Sequence, residues 1–189
     1  DGLPLTAAGY LKPADAQAFA EVVPTMQEWP FAFTRESDAR PLLWFRQHLV
    51  SAGLFRKYRG TLQATKVARA GLADPAVLWA ALAARVIPAR HRFDEAASVV
   101  IAVHAATNGD GAMDADAVAR TLTAAGWTHD DRGSVSARDV HPLWNDLWAG
   151  LGNVGALAES RVPFERSLSP AAIALARDAL FVEVPVEDG

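Results

Sequence analysis

The sequence predicts a mainly α fold with small β-hairpins, organised as two tandem winged-helix-like units related by internal duplication. Three observations carry that expectation. Alanine- and leucine-rich segments with helical periodicity fill most of the 189 residues and are cut by prolines and glycines. Two short apolar runs flank Arg59-Gly60, a hairpin signal. Elements then recur in the same order about 100 residues later.

The chain opens with a short extended piece that turns at Gly9. Lys12-Pro13 then starts a helix running to about Val23, with Pro13 in the first turn, where its missing N–H costs nothing. Pro24, Pro30 and the aromatics Trp29, Phe31 and Phe33 read as an irregular apolar connector folded onto the core. A second helix follows, with Ser37 or Asp38 as its N-cap and Gly53 as its stop. On its wheel Leu42, Leu43, Phe45, Leu49 and Val50 share one arc, while Trp44, Gln47, His48 and Ser51 fall opposite and Arg46 lies within the apolar arc. The hairpin comes next, Thr65 caps a short helix, Asp74-Pro75 opens another stopped by Pro88, and a helix over about 93–106 ends in "TNGDGAMD".

The second half repeats this plan. Asp114 parallels Asp15, Trp127 parallels Trp29, His141 parallels Arg40, Gly155 parallels Gly53, and Ser169 parallels Thr65, with offsets of 99, 98, 101, 102 and 104. A slowly drifting offset is what duplication with small loop insertions leaves behind. The expected boundaries are residues 1–90 for unit 1, 91–107 for a linking helix and 108–189 for unit 2. A helix pair followed by a two-stranded ribbon and a closing helix is the layout of a winged helix, in which the second helix enters a DNA groove.

Composition narrows the function classes. With 51% hydrophobic residues the chain can bury a real core, and no apolar run reaches the ~18 residues of a bilayer span. No membrane partner is expected. There is no cysteine, hence no disulfide or thiolate chemistry, in keeping with a cytoplasmic setting. A first residue of Asp1 leaves room for a processed upstream segment. Residues 1–100 carry 12 Lys and Arg against 9 Asp and Glu, a net of +3, whereas residues 101–189 carry 6 against 13, a net of −7. Only the first half is suited to facing an anion.

The strings "LTAAGYLKPADAQAF", "RESDARPLLWFRQHLVSAGLFRKYRGTLQATKVARAGL" and "DPAVLWAAL" carry a Leu-Thr-x-x-Gly opening, a Gly-Leu-x-Arg-Lys hairpin and an Asp-Pro-x-x-Leu-Trp helix. Over residues 3 to about 83 the chain resembles bacterial, especially actinobacterial, proteins without an assigned activity, some labelled plasmid or insertion-element passenger proteins. The resemblance implies no catalytic residues. In architecture, tandem winged helices are also similar to the kleisin-associated subunits of bacterial chromosome-condensing complexes, where they serve protein contacts.

Candidate sites follow from these elements. If the first wing meets nucleic acid, Arg56, Lys57, Arg59 and Lys66 would lie along phosphates, with Gln47 and His48 on the groove-facing helix. Against that, the polar face of the helix offers no arginine or lysine for guanine, and the second hairpin, "ALAESRVPFERSL", balances two glutamates with two arginines. Trp44, exposed on a polar face, is the expected anchor for a protein partner, with Trp144 and Trp148 as further anchors or as core. Enzyme signatures are thin. Setting Gly111 at the invariant glycine of a calcium loop puts Ala106 and Ala117 where carboxylates are required. His129, Asp130, Asp131 and His141 lack metal-site spacing and read as solvated loop residues, and His104 reads as a core or boundary histidine. No catalytic residue, metal or cofactor is expected. The sequence therefore favours a non-enzymatic intracellular adaptor or regulator that binds another macromolecule, a protein before DNA. Sequence-nonspecific DNA binding through the basic wing is the alternative, and a metal-dependent or hydrolytic enzyme comes last.

Overall fold

A computed structural model describes residues 2–87, 92–107, 113–128, 133–155 and 167–182. The fold is mainly helical with one small antiparallel sheet. In chain order the elements are β1 (Leu3–Pro4), α1 (Pro13–Val22), 3-10 turns at Pro24–Met26 and Glu36–Asp38, α2 (Arg40–Ser51), β2 (Phe55–Tyr58), β3 (Thr61–Ala64), α3 (Lys66–Ala73), α4 (Pro75–Ala83), α5 (Arg92–Thr107), α6 (Ala115–Ala124), α7 (Ala137–Leu151) and α8 (Pro170–Ala179). No helix among the described residues is long and apolar enough to cross a membrane.

The hairpin forms where the sequence places it. Arg59 and Gly60 both take positive φ, 47° and 73°, the pair of left-handed residues a two-residue hairpin turn needs. Tyr58 pairs with Thr61, Lys57 with Leu62 and Arg56 with Gln63. The opening extended piece adds a third strand, giving the order β1-β3-β2. Gly9, at φ 79°, turns the chain so that Leu5 bridges Leu11 before α1 begins.

The start of α2 differs from expectation. Ser37 and Asp38 do not cap it: Ala39 is the N-cap and provides no side-chain acceptor. The reason is Glu36, which turns inward. Its carboxylate is fully buried, accepts the Leu11 N–H at 2.7 Å through Oε2, and pairs through Oε1 with Nε of Arg46, itself 1% exposed. Holding Glu36 there winds residues 36–38 into a 3-10 turn and keeps the neighbouring Ser37 and Asp38 outside.

Two cores result. The N-terminal one gathers Leu11, Ala16, Val23, Met26, Ala39, Leu42 and Leu62 under the sheet. The C-terminal one packs α5, α6, α7 and α8 around Ile101, Val118, Leu122, Leu147, Leu151 and Leu175, and takes in Ala83 and Val86 from the end of α4. The helix expected to link two units is therefore walled into the second core. Trp144 and Trp148 also join it, at 5% and 8% exposure, together with Leu143, Leu147 and Leu151.

Local geometry after α2 recurs after α7. Gly53 (φ 70°) and Gly155 (φ 76°) turn the chain out of each helix. The Thr65 hydroxyl donates to the Gly53 carbonyl at 2.7 Å and accepts from the Ala68 N–H at 3.3 Å, capping α3. Ser169 donates to the Val154 carbonyl and accepts from the Ala172 N–H at 3.0 Å, capping α8. The helix expected to run to Pro88 ends earlier, at Ala83, with Ala84 as its C-cap. Pro88 itself, the central loop residues 108–112, the cluster of His129, Asp130 and Asp131, and most of the second hairpin (156–166) lie outside the described residues.

A candidate aromatic cleft and a basic hairpin

The two cores meet where α2 lies against α7, and this packing decides what the α2 polar face can do. Gly150 of α7 lets the helices close in: a Cβ built there would sit 2.4 Å from Nε2 of His48. His48 is consequently not on an open groove-facing surface. Its Nε2 is buried without a hydrogen-bond partner among the described residues, and burial lowers the imidazole pKa from 6.5 to about 4, leaving it neutral at pH 7. A cavity of about 90 Å³ beside it is lined by Trp44, Gln47, Ser51, Arg85 and Asp146. Gln47 is exposed, whereas Trp44 is half-buried rather than free on the surface.

Trp44 also faces a second, larger cleft of about 320 Å³. Trp29, Phe31 and Glu28 come to it from the connector, Pro41 and Trp44 from α2, and Trp148 and Ala149 from α7. Trp29 and Phe31 brace each other edge to face at 5.2 Å, and Phe31 is 65% exposed. The floor is fixed by a bridge between the cores: Oδ1 of Asn153 accepts from the Thr25 N–H at 3.1 Å and from its hydroxyl at 2.9 Å. Sequence reasoning chose Trp44 and missed its neighbours Trp29, Phe31 and Glu28. The available signal was an aromatic triplet at alternate positions, 29, 31 and 33, between Pro24 and Pro41.

The basic residues group elsewhere. Arg56, Lys57 and Arg59 are all exposed on the hairpin, and among the described residues none forms an ion pair. The guanidinium carbons of Arg56 and Arg59 stand 5.4 and 5.1 Å from the ring centre of Tyr58, itself 45% exposed. Lys66 is exposed at the first position of α3. The hairpin thus presents two guanidinium groups beside one exposed aromatic ring, while Gln47 and His48 stand on α2 beside α7 and outside that cluster.

Of the histidines weighed as possible ligands, His141 is exposed on α7 and His104 half-buried on α5. Among the described residues no group of three or more His, Asp or Glu side chains is placed to hold a metal ion. Compared with protein-family models, curated proteins and solved structures, the chain matches none.

Proposed function

We propose that this chain is a non-enzymatic adaptor or regulator that binds another macromolecule, a protein in the first place, through the aromatic cleft. The observation that carries the reading is the convergence of three tryptophans and a phenylalanine from three separate parts of the chain on one open concavity at the seam between the cores. Large aromatics supply most of the binding energy at protein interfaces, and exposed Phe31 at the rim is apolar surface that a partner would cover. A cytoplasmic setting belongs to the same reading, supported by the absence of cysteine. The test is affinity capture with the wild type, Trp44→Ala and Phe31→Ala, each checked by thermal melting. A partner retained at high salt by the wild type and released by both folded variants is expected. Equal capture by all three proteins overturns the reading.

The finer architecture we infer is the pair of winged-helix-like units made by duplication. The sheet order β1-β3-β2 beside α2 supports it, as does the recurrence of a left-handed glycine and a doubly bonded hydroxyl cap at offsets of 102 and 104 residues. On this view the chain belongs with the bacterial proteins whose opening, hairpin and Asp-Pro motifs it resembles.

One observation favours a second reading, sequence-nonspecific DNA binding by the hairpin: exposed Tyr58 has two arginines beside it that no carboxylate among the described residues neutralises. An exposed ring stacks on bases and the guanidinium groups meet phosphates. Because α7 lies against α2, such binding draws on backbone charge and not on groove readout. Replacing Arg56, Lys57 and Arg59 with glutamate is expected to reduce the slope of log affinity against log salt by about 3, near 0.9 for each phosphate that is no longer neutralised. An unchanged slope in DNA anisotropy titrations removes this reading.

A further inference from the structure

We propose that the cleft recognises a cation, a lysine-type ammonium in its free or methylated form presented by the partner protein. The inference rests on the adaptor reading above and adds the chemistry of what enters. Four aromatic side chains line the cleft, and Glu28, exposed at it, is the only charged residue among those that line it. No lysine or arginine is among those lining residues, so an anion would find nothing to neutralise it there. The indole Nε1 of Trp29 is buried, and the part of that ring left at the surface is therefore its carbon framework. Ring faces carry negative potential and attract ammonium groups, most strongly when several rings surround one cation and exclude water.

Size points the same way. At about 320 Å³ the cleft lies at the lower end of the roughly 300–1,000 Å³ range of small-molecule sites. It suits one long side chain better than a nucleotide or an extended cofactor. Its polar edge is largely committed already, since the Thr25 hydroxyl donates to Asn153. What remains for recognition is the aromatic wall and Glu28. A purely apolar anchor such as leucine would gain from the wall and leave the carboxylate unused. An ammonium gains from both.

Choline and its uncharged isostere 3,3-dimethylbutan-1-ol separate these cases, because they differ in charge and hardly in shape. The indole N–H resonances of Trp29, Trp44 and Trp148, assigned by single Trp→Phe variants, report binding in titrations of the full chain. Choline is expected to bind about tenfold more tightly than the isostere, the margin of a desolvated cation–aromatic interaction. Glu28→Gln should weaken choline several-fold and leave the isostere unchanged, and Phe31→Ala should weaken both. Equal or tighter binding of the isostere overturns the cation proposal while the cleft stands as an apolar docking site. Choline binding that leaves these three indoles unmoved also overturns it. If neither probe moves them, the cation proposal falls, while the adaptor reading is decided by the capture experiment.

Discussion

In the N-terminal core a carboxylate and a guanidinium are sealed in beside Leu11, Ala39 and Leu42, whereas the C-terminal core is closed by alanine, leucine, valine and tryptophan, with Ser98 and Ser169 as its buried polar side chains. The difference follows from the elements each half has to join. Four helices bury one another mainly through apolar stripes, with Arg177 of α8 donating to the Ala106 carbonyl of α5 at 3.0 Å. The N-terminal core instead joins α1 and α2 to a long connector and a small sheet, and Glu36 ties three segments together: its own turn, α2 through Arg46, and the backbone before α1 through Leu11. Electrostatics there does the positioning that helix packing does in the other half.

The largest test of this contrast is Glu36→Gln. It preserves shape and removes charge, leaving Arg46 buried without its counter-ion, and should destabilise the protein by about 3–5 kcal/mol in denaturant unfolding. The C-terminal counterpart is a shape-preserving change such as Leu147→Met, expected to cost less than about 1.5 kcal/mol. If both changes cost the same, the two cores are not held by different means. Coupling Glu36→Leu with Arg46→Met should recover most of the loss, because no unpaired charge is then left inside.

The seam between the cores supplies the next effect. With the His48 imidazole held at a pKa of about 4 against 6.5 when unfolded, the unfolded chain binds the extra proton between those values. Stability is therefore complete above pH 6.5, falls as the pH drops towards 4 and levels off below it, a loss of up to about 3 kcal/mol. Arg85 and Asp146 border the same cavity, so acid that protonates His48 does so in their company. In His48→Leu the step between pH 6.5 and 4 should vanish from the unfolding curve. A step that persists unchanged assigns it to the carboxylates.

Much of the fold was legible because its signals were local. Arg59-Gly60, Thr65 and Asp74-Pro75 each fix a turn or cap with their own side chains or backbone, and each stands where the sequence reading put it. The cap of α2 was misread because a long-range interaction won: Glu36 is drawn inward by Arg46, ten residues away, and by Leu11. The cleft was legible only in part. Trp44 stands out on a helical wheel, but a wheel shows α2 as if it had no partner on that side. Gly150, which lets α7 approach so closely, has no meaning until the two helices are known to meet. Trp29 and Phe31 belong to a connector without periodicity, and no pattern rule says which way such side chains turn.

The smallest expected effect bears on the likeness of the two halves. Thr65 and Ser169 each donate to a carbonyl at the end of the preceding turn and accept from a backbone N–H of the helix that follows. Replacing either with alanine should cost about 1 kcal/mol, the usual worth of an N-cap hydroxyl, with the upper part of the roughly 0.5–2 kcal/mol range at Ser169, the more buried of the two. The capped helices pack into different clusters, α3 through Ala68 beside Ala52 and Leu54 and α8 through Leu175 in the C-terminal core, so the double variant should lose the sum of the two single losses to within about 0.5 kcal/mol. The conservative exchanges Thr65→Ser and Ser169→Thr sharpen the test. Both keep the hydroxyl, yet Ser169 lies within 2.9 Å of where a Cβ on Gly155 would stand, so an added methyl is tolerated less there than Thr65 tolerates losing one. Equal tolerance in both directions would mean that the two restart points are the same structure, down to the space around the cap.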